Sequence, residues 1–224
     1  MPGKRFWSAD QPDTAVQGPP ARGVVDTVAG EERLTVYVMM ERFDNGADVY
    51  VRVRFDARRP REVALAAFVR EASVPLSRLV LTATMGNYAR LRRLRLRDRV
   101  VEPSDLWPEH TGDGFTAHAR FGLDELARDP GGAAVVTATS DEADPTAALY
   151  AAGTAEHWKY QGLRAVQGWR VDDPVPGLEA WVNGRYTYWA STAPIPGGVA
   201  YENVELVQPF AQGQECAFTV EPLD

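Results

Sequence analysis

The chain has 224 residues, of which 45% are hydrophobic and 25% charged, a composition typical of globular proteins with a core. Its formal net charge of −7 argues against a general nucleic-acid binder. The single cysteine, Cys216, excludes an intrachain disulfide, and no apolar run predicts a signal peptide or a membrane span. These properties predict a cytoplasmic protein, and the Arg- and Ala-rich, Lys-poor composition is typical of a high-GC bacterium.

The first thirty residues differ in composition from the rest of the chain. They are rich in Pro, Gly, Asp and Gln and show little periodicity, which is typical of a flexible arm. From Arg33 onward, short segments alternate between apolar and polar residues, as half-buried strands do. The pattern predicts an N-terminal arm over 1–30 and a single β domain over 31–224.

Strand patterns recur along the whole of that domain. The segments LTVYVMME and ADVYVRVRF flank RFDNG, which predicts a hairpin, and EVALAAFV, RLVLTATM, GAAVVTATS and ECAFTV each predict a further strand. Glu102–Gly114 is predicted to be a loop, and Gly122–Asp129 the one short helix. About a dozen strands predict an all-β fold, a large antiparallel two-sheet sandwich of the jelly-roll kind, with a closed barrel as the alternative.

Arginine is concentrated between Arg52 and Arg99, where thirteen Arg face four acidic residues. In the segment 89–101, alternation places Leu94, Leu96 and Val100 on one face of a strand and arginines on the other. These arginines could bind an anion such as a uronate, a sulfate or a phosphate. A solvated face paired with neighbouring acids is the favoured interpretation. Just upstream, Asn87, Tyr88 and Arg90 are predicted at a sheet rim and are candidate ligand-binding residues.

The most informative segment runs from His157 to Glu205, because it holds four of the six Trp among many polar residues. Asn183-Gly184 predicts a two-residue hairpin turn, which would place Trp181, Tyr186, Tyr188 and Glu179 on one face and Trp189 on the core face. Trp158 and Tyr160 are predicted on a preceding strand. Such rings could form a platform for a flat polar ligand, although core packing is the commoner role of aromatic strands.

Three residues are candidates for acid–base chemistry. Glu179 and Glu202 lie among aromatic residues, and His157 begins the aromatic strand. Paired carboxylates that cleave a glycoside must converge from different strands, which the sequence does not establish. The three histidines lack metal-ligand spacing, and no nucleotide-binding or nucleophile motif occurs, so we expect neither a metal nor a cofactor.

The segment GGVAYENVEL resembles a late strand of concanavalin-A-like jelly rolls, through Gly198, Tyr201, Asn203, Val204 and Leu206. The resemblance covers about ten residues. It implies two curved antiparallel sheets with a carbohydrate-type ligand on the concave one. The catalytic signatures of the lyases and glucanases of that superfamily are absent, so the resemblance assigns no catalytic residue.

Three hypotheses about function follow. The first is an enzyme, a hydrolase or lyase, that binds and transforms a small polyhydroxylated or glycoside-type molecule. The second is a non-catalytic carbohydrate-binding module with the same aromatic face, and the third is a β-barrel cyclase or carrier for an apolar small molecule. A small molecule or an oligosaccharide is the expected partner, with no nucleic acid and no membrane, and the oligomeric state is left open.

Overall fold

A computed structural model describes residues 22–84, 89–140, 150, 152–156, 159, 164–189 and 192–223. The protein is all-β, with 53% of the described residues in strands and 3% in helices. Two antiparallel sheets of ten and four strands and one short helix confirm the predicted all-β, two-sheet architecture of a sandwich. The elements in chain order are β1 (Arg22–Val28), β2 (Glu31–Met39), β3 (Val49–Asp56), β4 (Glu62–Val69), β5 (Arg78–Thr84), β6 (Leu91–Arg95), β7 (Val100–Val101), α1 (Pro103–Leu106), β8 (Ala119–Gly122), β9 (Ala127–Arg128), β10 (Ala134–Ser140), β11 (Ala165–Val171), β12 (Glu179–Arg185), β13 (Ala200–Pro209) and β14 (Glu215–Pro222).

The chain divides into two compact units, the first made of 1–78 and 210–218 and the second of 79–209 and 219–224. In the first unit, the strand order is β1-β2-β3-β4-β14, with β2 and β3 joined antiparallel across the predicted RFDNG turn. That turn is closed by the bond from the Gly46 amide to the Phe43 carbonyl. β1 extends into the segment predicted as an arm, because all seven of its residues pair with β2.

The second unit contains two sheets. One has the order β11-β10-β6-β7, with β9 also pairing with β10, and the other has the order β5-β13-β12-β8. Fully buried apolar side chains form its core, and the indole Nε1 of Trp169 on β11 donates to the Val204 carbonyl on β13 at 2.8 Å. The core side chains are Leu94, Val136, Ala138, Trp169, Val171, Ala180, Val182, Val204 and Leu206.

Buried arginine also stabilises this unit. Arg92 on β6 is 6% exposed, and its guanidinium donates to the carbonyls of Pro196, Gly198 and Val199. Charge-assisted hydrogen bonds of this kind are stronger than neutral ones. The alternation predicted for β6 is confirmed for Leu94 and Leu96, but the prediction for Val100 is wrong. The chain reverses through the bond from the Leu96 amide to the Arg99 carbonyl, so Val101 is the buried residue and Val100 is exposed.

Two local predictions are corrected. Gly122–Asp129 is not a helix, because the Glu125 amide bonds the Gly122 carbonyl and the Glu125 carboxylate bonds the Gly122 amide, which closes a turn between β8 and β9. The described helix α1 lies instead inside the predicted Glu102–Gly114 loop. It begins with Pro103 and a reciprocal cap between Glu102 and Asp105.

The prediction of a hairpin turn at Asn183-Gly184 is also wrong. Both residues lie inside β12, which pairs with β13 on one side and β8 on the other. A Cβ added to Gly184 would lie 2.7 Å from the Ala200 carbonyl oxygen and 3.3 Å from the Trp107 ring. This glycine is therefore required for close packing and not for a turn. Trp189, predicted in the core, is 56% exposed.

Candidate functional site

Strand β12 is the centre of the candidate site because its two faces differ in chemistry. Ala180 and Val182 point inward and are fully buried, while Glu179, Trp181 and Asn183 alternate with them and point away from the core. β13 on one side, β5 beyond it and β8 on the other side complete the sheet. The outward side chains of these four strands form what we call the outer face.

The first row across the outer face is a chain of side-chain hydrogen bonds that joins β5, β13 and β12 and ends at His118, the residue before β8. Thr84 Oγ1 donates to Asn203 Oδ1 at 3.0 Å, and Asn203 Nδ2 donates to Asn183 Oδ1 at 3.1 Å. Asn183 Nδ2 then lies 3.2 Å from Nε2 of His118. We call these four residues the amide row. It fixes the rotamers of two amides and leaves each amide with further donor or acceptor capacity.

A second row runs beside the amide row and contains the charged groups. Trp181 lies opposite Glu205 on β13 and Arg120 on β8, and the Arg120 guanidinium stacks on the indole at 4.0 Å from its centroid. The indole Nε1 donates to Glu179 Oε2 at 2.7 Å. Thr82 Oγ1 donates to Glu205 Oε1 at 3.4 Å. The indole is therefore held by a carboxylate at its edge and a cation on its face.

His118 joins the two rows. Its Nε2 is 3.2 Å from Asn183 Nδ2 and 3.6 Å from Glu205 Oε2, and its ring centroid is 5.8 Å from that of Trp181. A neutral imidazole accepts the amide proton, whereas an imidazolium has no lone pair at Nε2 and instead pairs with the carboxylate. The side chain is 36% exposed, so it is accessible from solvent.

An open depression of about 480 Å³ lies at the Glu179 end of β12. Apolar residues and glycines line it, together with charged side chains of both signs. The charged residues are Arg97, Arg128, Asp124 and Glu179. Because the charges balance, the depression has no evident preference for an anion. Arg97 is the one member of the predicted arginine strand that contributes to it.

The structure places two of the predicted site residues, Glu179 and Trp181, on the outer face. Glu202 is 3% exposed and lies at the β-bulge of β13, where Asn183 pairs with Asn203 and Gly184 with Tyr201. Glu179 pairs with Val207, five residues from Glu202, a separation of ~16 Å along the strand. The two carboxylates are therefore too far apart to work as a glycosidase pair, which needs about 5–9.5 Å.

Three other predicted residues lie away from the outer face. Tyr188 is 1% exposed and packs in a core cluster with Ile195 and Ala200, and Tyr186 is half-buried beyond the end of β12. Arg90 is 1% exposed and not at an open rim; its guanidinium lies 5.2 Å from the centroid of Tyr150, which stacks on Tyr188. The predicted platform of Trp181, Tyr186 and Tyr188 is therefore not formed. His157, Trp158, Tyr160, Asn87 and Tyr88 lie outside the described residues.

Sequence reasoning missed the residues that organise the outer face. Asn203 and Glu205 alternate with buried Val204 and Leu206 on β13. This period-two pattern is visible in the sequence and indicates that Asn203 and Glu205 share the face opposite the core. Asn183 was assigned to a turn, and this removed it from the strand alternation that would have placed it beside Trp181. His118 gave no local indication, because its partners lie 65 and 87 residues away in the chain.

The comparisons with known proteins give no relative. No protein-family model matches the chain, and no curated protein or solved structure matches it. Among the described residues, no cluster of three or more His, Cys, Asp or Glu side chains could hold a metal ion. No helix in the described part of the chain is long and apolar enough to cross a membrane.

Proposed function

We propose that the outer face binds a small polyhydroxylated molecule of the sugar type. The amide row is the observation that carries the proposal. Sugar hydroxyls donate and accept hydrogen bonds at the same time, and amides oriented in a row offer both functions in a fixed geometry. The carboxylate of Glu205 adds acceptors, and the Trp181 indole adds an apolar surface next to them.

We propose that the Arg120 side chain covers the Trp181 indole and moves aside when a ligand binds. Its guanidinium lies on the indole, and its side chain is exposed. A pyranose ring that stacks on Trp181 would displace the guanidinium toward solvent, where it could contact a ligand hydroxyl or carboxylate. The exposure of His118 and Arg120 favours an open binding face over the closed apolar cavity of a carrier.

A saccharide-binding screen by isothermal titration calorimetry and saturation-transfer NMR tests the proposal. Asn203→Leu removes the middle of the amide row, and Thr84→Val removes its first hydroxyl. We expect about tenfold weaker binding for Asn203→Leu and a smaller loss for Thr84→Val. Thr35→Val on β2 of the first unit is the matched control and should bind like the wild type. Failure of every saccharide to bind, or undiminished binding by Asn203→Leu, would contradict the proposal.

A catalytic role is the second candidate, and the contact between His118 and Glu205 favours it. An imidazole and a carboxylate 3.6 Å apart on a ligand-binding face can exchange a proton with a bound hydroxyl. Incubation of bound saccharides with the protein, followed by NMR over time, would reveal cleavage or elimination products. Products formed at the wild-type rate by Glu205→Gln would exclude this pair as the proton carrier.

A further inference from the structure

The outer face continues beyond the amide row to Arg185. On β12, Val182 and Gly184 point inward, so Asn183 and Arg185 share the outward parity. Arg185 is nevertheless only 7% exposed. An outward arginine that is so well covered must have other side chains lying over it.

Two aromatic rings provide that cover. The guanidinium carbon of Arg185 lies 5.1 Å from the ring centroid of Phe115 and 5.1 Å from that of Trp189. The two ring centroids are 6.1 Å apart and the planes are inclined by 34°. We call Phe115 and Trp189 the aromatic pair.

The aromatic pair is held in place from below. Arg185 Nε donates to the Thr187 carbonyl at 3.3 Å, and its Nη2 donates to the Asp113 carbonyl at 2.6 Å. Phe115 also forms a backbone bridge with Arg185. With its polar atoms engaged in this way, the guanidinium anchors both rings through cation–π contacts.

The rings themselves remain open to solvent, with Phe115 47% and Trp189 56% exposed. Two large neighbouring rings fixed at the surface are typical of a binding site, because burial elsewhere would have been more favourable for the fold. Their anchor, Arg185, lies two residues from Asn183 and four from Trp181, which is ~7 Å and ~13 Å along the strand.

We infer that the aromatic pair is a second stacking subsite of the same face, and that the ligand is an oligosaccharide of more than one ring. One sugar ring occupies the amide row beside Trp181, and a following ring stacks on Phe115 or Trp189. The inference rests on the proposed function, since it uses the amide row as the first subsite. It adds that the ligand is an extended sugar chain and that this chain runs along β12.

Calorimetric titration with two ladders of one to four glucose units, one β-1,4-linked and one α-1,4-linked, tests this subsite. We expect affinity to rise about tenfold or more between the monosaccharide and the longer members of at least one ladder. Trp189→Ala and Phe115→Ala should remove this rise and leave monosaccharide affinity unchanged. Phe55→Ala is the matched control, because Phe55 is equally exposed, at 48%, on β3 of the first unit.

The outcomes separate the two proposals. A monosaccharide that binds with no gain in affinity along either ladder overturns the second subsite and leaves the first intact. A gain in affinity that persists in Trp189→Ala and Phe115→Ala also overturns the subsite. If no member of either ladder binds, the proposed function fails for this class of ligand, and the subsite fails with it.

Discussion

Each of the two units has a polar cluster on a sheet, and the polar groups of the two clusters are paired in different ways. In the first unit, Glu215 on β14 pairs with both Arg52 and Arg54 on β3. Arg52 also lies over the ring of Phe68 at 5.3 Å from its centroid. In the second unit, the amide row uses neutral groups, and the charged side chains of Glu205 and Arg120 lie in the row beside it.

The difference supports the proposal that the outer face binds a ligand. Opposite charges that meet directly satisfy one another, and a neutral ligand would have to separate them before it could contact them. Amides in a row keep spare donors and acceptors after they have paired. We therefore propose a structural role for the Glu215 cluster, beside the proposed binding role of the outer face.

Asn183→Leu should have the largest effect, because Asn183 is 4% exposed and has a partner on each side. The substitution leaves Asn203 Nδ2 and His118 Nε2 without their amide partner. We expect unfolding free energy to fall by about 2 kcal/mol in urea titration and saccharide binding to weaken more than tenfold. Unchanged stability together with unchanged binding would show that the amide row is incidental.

Glu215→Gln and Glu205→Gln form a matched pair that separates structural from binding roles. Glu215→Gln leaves two half-buried arginines without a counter-charge, so we expect a loss of about 1–2 kcal/mol in unfolding free energy and normal saccharide binding. Glu205→Gln should change stability by less than about 0.5 kcal/mol and weaken binding several-fold. The assignment of roles is reversed if Glu215→Gln is the variant that loses binding.

These two clusters also differ in how much the sequence revealed. The strands β2 and β3 followed from local alternation, because apolar and polar residues alternate along most of each strand. The candidate site depended on long-range pairing. Asn183-Gly184 is a dipeptide typical of two-residue turns, yet both residues lie in β12 and pair with β13, and this strand pairing outweighs the preference.

The remaining errors have two origins. Gly122–Asp129 contains helix-forming residues, but Glu125 bonds the Gly122 amide and pairs with Arg99, which lies on another part of the chain. Trp189 is exposed because Arg185, only four residues away, holds it at the surface. That contact is local, but the turn predicted at Asn183-Gly184 assigned Trp189 to the core face.

A smaller effect is expected from removing the His118 ring. Its Nε2 lies 3.2 Å from Asn183 Nδ2 and 3.6 Å from Glu205 Oε2, so the imidazole helps to position both side chains. The Trp181 ring lies beside it, with the two ring centroids 5.8 Å apart.

We expect His118→Ala to weaken saccharide binding several-fold, measured by calorimetry. His110→Ala is the control, because the His110 ring bonds the Gly114 carbonyl within its own loop. Undiminished binding by His118→Ala would remove His118 from the site.

The smallest effect is expected in the first unit at acid pH. Arg33 Nη2 donates to Asp26 Oδ2 at 2.8 Å across β1 and β2, and this hydrogen bond lowers the pKa of Asp26 below the ordinary 3.8. A carboxyl group with a lowered pKa in the folded state stabilises the fold above its unfolded pKa, and that stabilisation is lost as pH falls through the folded value. Both groups are open to solvent, so the contribution is minor.

NMR titration of the Asp26 carboxyl should therefore show it ionised at pH 3.8, and Arg33→Gln should move its pKa upward toward that value. A carboxyl that titrates at 3.8 with Arg33 present would remove the ion pair from the first unit. Because this ion pair joins β1 and β2 of the first unit, Arg33→Gln should leave saccharide binding unchanged. A loss of stability confined to acid, with no loss of binding, is the behaviour expected of a structural pair outside the proposed binding face.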